Sequence, residues 1–140
     1  MGKVTFKNAW PYQDDVMKLP VADVEAAVPF YENMLGFRVV ERADSPHRSA
    51  ILERDGLRIG LNENGGDPTQ DGVAFEVDDA DAAFAEFRAN GLAPAGSGER
   101  DPNGTISAEI GSENRSGIAW RVFFIVAPDG LCYWIGSKAS

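Results

Sequence analysis

The sequence predicts an α+β fold built from two βαβββ modules, with helices outside a cup-shaped mixed sheet. Three observations carry that expectation. First, the stretch from Leu19 to Phe37 reads as strand end, capped helix and strand start, and the same pattern returns between Gly72 and Leu92. Second, the helix-capping residues Asp23 and Asp79 stand 56 residues apart, while the turn pairs Asp55-Gly56 and Asp129-Gly130 stand 74 apart. Third, the difference of 18 residues equals one polar, Gly-containing stretch, Asp101 to Ile118, inside the second copy. A duplicated module explains all three; a solenoid would need more copies.

The bulk properties bound the function. With 140 residues the chain makes one domain with a real core. Hydrophobic residues make up 44% and charged residues 25%, the balance of a folded globular chain. A net charge of -9 disfavours nucleic acid and anionic membrane surfaces as partners. Cys132 is the only cysteine, so no internal disulfide forms. Met1 to Trp10 holds no apolar run of signal-peptide length and no stretch approaches a membrane span, so the cytoplasm is the expected location. Asn103-Gly-Thr and Asn114-Arg-Ser fit the glycosylation pattern but read as loop composition.

Residues 1–15 read as an arm or short edge strand, because Val4, Phe6 and Trp10 can pack while Pro11 opposes a helix. Module one spans 16–62. Val16 to Val21 alternates as a half-buried strand, and Asp23 caps a helix from Val24 to Leu35. Pro29 lies beyond the first turn of that helix and should bend it. Gly36 ends it, and Phe37 to Glu41 forms a strand. Asp44 to His47 is a turn. Ser49 to Glu53 and Leu57 to Asn62 are strands joined by the tight turn at Asp55-Gly56. Residues 63–71 are a linker by composition. Module two spans 72–137: a strand from Gly72 to Val77, a helix from Asp78 or Asp79 to Asn90, the insertion at 101–118, then strands from Trp120 to Val126 and from Leu131 to Gly136.

Each helix should cover one face of its sheet, leaving the other face open, and two such faces can enclose a ligand cavity. Alternation puts Val16, Lys18, Arg58, Gly60 and Asn62 on the open side of module one. Gly72, Ala74, Glu76, Cys132 and Trp134 take the open side of module two. Trp120 or Arg121 reaches it from the neighbouring strand, which is apolar on both faces. Trp134 reads either as an aromatic platform or as a plug for the cavity. Lys18, Arg58 and Glu76 read as convergent polar groups or as solvated charges. His47 in its turn and Cys132 without a nearby base read as non-catalytic. The inserted stretch reads equally as a lid and as an ordinary surface loop.

The segments Leu19-Pro20-Val21-Ala22-Asp23, Phe30-Tyr31, Leu35-Gly36-Phe37, Val73 to Asp78 and Pro128-Asp129-Gly130, in this order and spacing, resemble the vicinal oxygen chelate superfamily. That superfamily takes in glyoxalases, extradiol dioxygenases and the bleomycin-resistance proteins. The resemblance implies a homodimer, in some members with exchanged modules. It also implies metal ligands on the first and last strand of each module, at positions that correspond here to Val16, Gly60, Gly72 and Trp134. None of these four side chains can ligate a divalent metal, and His47 is the only histidine.

The resemblance is strongest in character to the metal-free bleomycin-resistance branch, whose members sequester a drug. The expected function is therefore cofactor-free and metal-free binding of a small, cationic, partly planar compound, by Lys18, Arg58, Asn62, Glu76, Trp120, Arg121 and Trp134. The alternative is a glyoxalase- or dioxygenase-like enzyme, a lyase or isomerase, with Glu76 as its general base.

Overall fold

The computed structural model describes residues 4–13, 15–94 and 104–139. The chain folds into two helices and two mixed sheets, an α+β arrangement. Module one contributes β2 (Leu19–Pro20), α1 (Val24–Asn33), β3 (Arg38–Ala43), β4 (Ser49–Arg54) and β5 (Leu57–Asn62), which form a sheet in the order β2-β5-β4-β3. Module two contributes β6 (Gly72–Val77), α2 (Ala80–Asn90), β7 (Ala93–Pro94), β8 (Thr105–Ile106), β9 (Gly111–Arg115), β10 (Ile118–Val126) and β11 (Cys132–Lys138). Its sheet runs β6-β11-β10-β8-β7, with β9 also on β10 and with β1 (Phe6–Pro11) added outside β6. In both modules the first strand lies parallel to the last.

The duplication extends to the register of the parallel strand pair. Leu19 faces Leu61 in module one, and Phe75 faces Ile135 in module two, the same pair displaced by 56 and 74 residues. The caps repeat as well: the side chains of Asp23 and Asp79 accept from the backbone N–H groups of Ala26 and Ala82. Each helix then closes with a bond back across its last turn, Phe37 N–H to the Tyr31 carbonyl and Leu92 N–H to the Phe87 carbonyl. Helix α1 runs through Pro29 without a break.

The helix-covered faces of both sheets share one core. Leu19, Val21, Ile59, Leu61, Phe75 and Val77, expected under the helices, are all buried in it. Phe6 of β1 bridges the modules, packing edge-on against Phe37 at 5.5 Å and Phe75 at 5.1 Å between ring centroids. Tyr31 of α1 meets Tyr133 of β11 across the same boundary.

Two expectations are corrected. The first strand of module one is only Leu19–Pro20, because Asp15 ties the preceding residues into a turn: its carboxylate accepts from Met17 N–H and its carbonyl from Lys18 N–H. The turn still docks on the sheet through Gly60 N–H to the Val16 carbonyl at 2.9 Å. The inserted stretch is not simply a loop. Asp101 to Asn103 lie outside the described residues, but β8 and β9 follow, and β9 pairs with β10 through a two-residue turn in which Ser116 and Gly117 have φ of 53° and 82°. Positive φ at both central residues is the geometry that matches hairpin twist. No helix of the described residues is long and apolar enough to cross a membrane.

Candidate functional site

Strand pairing places the open face of module two in rows. Trp10, Ala74, Trp134 and Phe124 are successive neighbours across β1, β6, β11 and β10. Beside them run Asn8, Glu76, Gly136 and Val122, then Trp120 with Lys138 and Glu113. Trp10, Pro11, Tyr12, Ala74, Arg115, Phe124 and Trp134 line a groove of about 460 Å³. Its outer walls are exposed aromatics: Trp10 at 45%, Tyr12 at 41% and Phe124 at 40%. Large aromatic groups left in water beside a concavity are the ordinary mark of a binding surface.

Trp134 forms the inner edge of this groove and is only 3% exposed. Its ring lies over Gly136, where a Cβ would touch the indole, and packs edge-on against Trp120 at 5.3 Å. The open side of the ring is taken by the chain itself. The Arg115 guanidinium sits 4.7 Å from the ring centroid, and its Nε donates to Glu113 Oε1 at 2.8 Å. Trp134 Nε1 donates to that same oxygen at 3.3 Å. Trp134 is thus both platform and filler, with a protein cation stacked where a ligand cation was expected. Neither Glu113 nor Arg115 was among the expected site residues; the Ser116-Gly117 hairpin that carries them there is what the sequence reading missed.

The other expected residues are divided. Trp120 faces the open side, whereas Arg121 turns toward α2 and pairs with Asp81 at 2.9 Å, which holds that carboxyl below its usual range. Glu76 is buried on the open face, but both oxygens are engaged: Oε1 accepts from Asn8 Nδ2 at 2.7 Å and Oε2 lies 3.8 Å from Lys7 Nζ. Lys18, Arg58 and Asn62 belong to module one and do not line this groove. Lys18 is exposed, and Arg58 is exposed and donates to Glu53 at 2.9 Å. Asn62 is half-buried, its Oδ1 without a hydrogen-bond partner among the described residues. Cys132 lies under Tyr12, whose hydroxyl is 3.9 Å from the sulfur, and burial pushes both groups above their ordinary pKa values.

The residues do not fit a metal centre of the expected kind. Val16 and Trp134 carry no donor for one. A Cβ at Gly60 would strike the Met17 backbone, and one at Gly72 the Cys132 backbone, so neither position has room for a ligating side chain. No group of three or more His, Cys, Asp or Glu residues converges among the described residues.

The concavity around Arg54 and Glu86 between the helices is wider, about 870 Å³, but its central charges are spent on one another. A smaller one of about 240 Å³ lies between the start of α1 and the Pro128-Asp129 turn, where Phe30 and Tyr31 join small apolar groups and the carboxylates of Asp23 and Asp129.

Comparison with known proteins agrees with this architecture. No curated protein matches in sequence. Among solved structures, the bleomycin resistance determinant encoded on the transposon Tn5 is 23% identical, with a TM-score of 0.67 over 91% of this chain and 99% of that one. A protein from the mobile metagenome of Vibrio pseudocholerae is 20% identical, with a TM-score of 0.66 over 91% and 95%. A glyoxalase I mutant from Zea mays is 21% identical, with a TM-score of 0.57 over 86% of this chain and 44% of that one. At these identities the likeness establishes the fold. The family model described as Glyoxalase/Bleomycin resistance protein/Dioxygenase superfamily matches residues 13–122, most of the chain. The chain is a member of the glyoxalase/bleomycin resistance protein/dioxygenase superfamily.

Proposed function

We propose that this protein binds a small, partly aromatic organic molecule in the groove on the open face of module two, without a metal ion. The observation that carries the reading is the exposed aromatic set Trp10, Tyr12 and Phe124 around the covered Trp134, on a sheet whose other face packs into the core. Aromatic side chains supply contact area with few rotatable bonds, so little entropy is lost when a planar ligand settles on them. A bleomycin-binding protein complexed with bleomycin shares the fold, with a TM-score of 0.65 at 23% identity. That likeness shows that the fold can hold a bound small molecule. The setting of Glu76 supports binding rather than turnover, since its Oε1 is engaged by Asn8 and its Oε2 faces the Lys7 ammonium at 3.8 Å, and it does not line the groove.

A thermal-shift screen of planar organic compounds tests the reading, because a ligand of the folded state alone raises the melting temperature. Hits should lose their effect in Trp10→Ala. A screen in which every hit acts equally on Trp10→Ala sinks the groove as the site.

A homodimer belongs to the same reading. Trp10, Phe124 and Val126 leave apolar surface on one face, and a second copy that contributes its own open face completes a cup. Light scattering should give twice the mass of the 15.1 kDa chain.

A further inference from the structure

We infer that the ligand of this groove is an aromatic carboxylate and that Arg115 is the residue that receives the carboxylate. The inference rests on the groove being the binding site and departs from a cationic ligand. Among the described residues Arg115 is the only charged side chain in the lining. A cation entering the groove would meet that charge, and the ring best suited to hold it, Trp134, is already covered by the guanidinium. An anion meets a donor that is set in advance.

The setting has two parts. Contact with Trp134 holds the guanidinium over the indole, and the 2.8 Å bond from Nε to Glu113 fixes its direction. Glu113 is in turn held by Trp134 Nε1, so the three groups brace one another. Among the described residues Nη1 and Nη2 have no hydrogen-bond partner. A guanidinium engaged at Nε still offers the N–H groups of its Nη end, which match the two oxygens of a carboxylate. The pre-positioned side chain loses little further freedom when the anion arrives. Trp10, Tyr12 and Phe124 then take the aromatic ring of the same molecule. The chain's net charge of -9 opposes anions at long range but is screened beyond roughly 8 Å at physiological salt; the nearby Glu113 carboxylate is engaged at Nε, so the Nη groups of Arg115 are the donors left for the anion.

Calorimetric titration with three isosteres tests this: 2-naphthoate, 2-naphthalenemethanol and 2-naphthylmethylammonium. Wild-type protein should bind the naphthoate about tenfold more tightly than the alcohol, the size expected of one charge-assisted contact, and the ammonium most weakly. In Arg115→Gln the preference for the naphthoate over the alcohol should disappear, whatever the level at which the two then bind. Arg115→Lys, which keeps the charge and loses the fork, should retain only part of the preference. Circular dichroism of each variant checks folding. An alcohol or ammonium that binds wild type as well as the naphthoate overturns the inference, as does a preference that survives in Arg115→Gln. In those cases the groove still stands if Trp10→Ala abolishes binding of all three. If no probe binds, or Trp10→Ala changes nothing, the groove reading fails and the inference with it.

Discussion

Arg54 of β4 grips Glu86 of α2 with both ends of its guanidinium, Nη1 to Oε2 at 2.8 Å and Nη2 to Oε1 at 3.1 Å. The same two nitrogens donate to the carbonyls of Leu35 and Val4, and the group lies 4.7 Å over the Phe6 ring. One buried side chain therefore ties module one's hairpin to the end of α1, to the N-terminal segment and to module two. Arg54→Ala leaves two carbonyls and a half-buried carboxylate without their donor, and should cost about 3 kcal/mol, in the range for breaking a buried ion pair. Arg54→Lys should recover less than half of that, since an ammonium cannot span the four acceptors. Urea unfolding monitored by circular dichroism measures both; a loss below about 1 kcal/mol for the alanine variant would mean the clamp is not needed.

The hydroxyls of Tyr31 and Tyr133 share a 2.6 Å hydrogen bond at full burial, where desolvation pushes both phenols far above their ordinary pKa. Each is the other's side-chain partner across the module boundary. Tyr31→Phe or Tyr133→Phe strands one buried hydroxyl and should cost about 1–3 kcal/mol. The double variant strands none, so its cost should be clearly less than the sum of the singles. Additive losses in the double-mutant cycle would show that the bond carries no coupling.

The duplicated frame was legible because its signals are local and repeated: Asp23 and Asp79 as caps, Gly36 as a helix stop, Asp55-Gly56 as a turn with φ of 53° and 83°. The open-face positions of module two followed from alternation, so Ala74, Glu76 and Trp134 lie where their spacing put them. Two things were not legible. The strand Gly111–Arg115 is polar and short, with no alternation to betray it, and its pairing is specified by the Ser116-Gly117 turn and by β10 rather than by its own residues. Hence Glu113 and Arg115 were invisible as site residues. The fate of Lys18 and Arg58 was equally hidden, because alternation gives the face of a sheet but not what stands across from it. Arg58 found Glu53 on the neighbouring strand.

Gly136 is the floor on which Trp134 lies, and a Cβ there would meet ring atoms Cζ3 and Cζ2 at 2.8 and 3.0 Å. Gly136→Ala must lift the indole out of its seat, breaking the contact with Trp120 and the bond to Glu113 and uncovering Arg115. Tryptophan fluorescence should shift to the red and naphthoate binding should weaken several-fold, while overpacking costs about 1–3 kcal/mol of stability. An unchanged spectrum would mean that the ring has another place to go.

Asp129 gives the pH dependence a sign. Burial raises its carboxyl above the ordinary range, and the hydrogen bond from Leu131 N–H to Oδ1 at 3.2 Å offsets only part of that. The folded state therefore binds the proton more tightly than the unfolded state. Between the ordinary carboxylate pKa and the raised folded value, the native chain holds more protons, so this residue makes stability fall as pH rises through that window. Above the window the penalty of an ionised, half-buried carboxylate is present in full. Asp129→Asn removes the ionisation and keeps an oxygen for Leu131 N–H. At pH 7 the variant should be at least as stable as wild type. Its advantage should shrink as pH is lowered through the window, because wild type regains its proton there while the amide has none to gain. Thermal melts of both proteins from pH 7 downward, at constant ionic strength, follow the difference. A variant that is less stable at pH 7, or whose advantage grows toward acid, would show instead that the Asp129 carboxylate is held by a favourable partner.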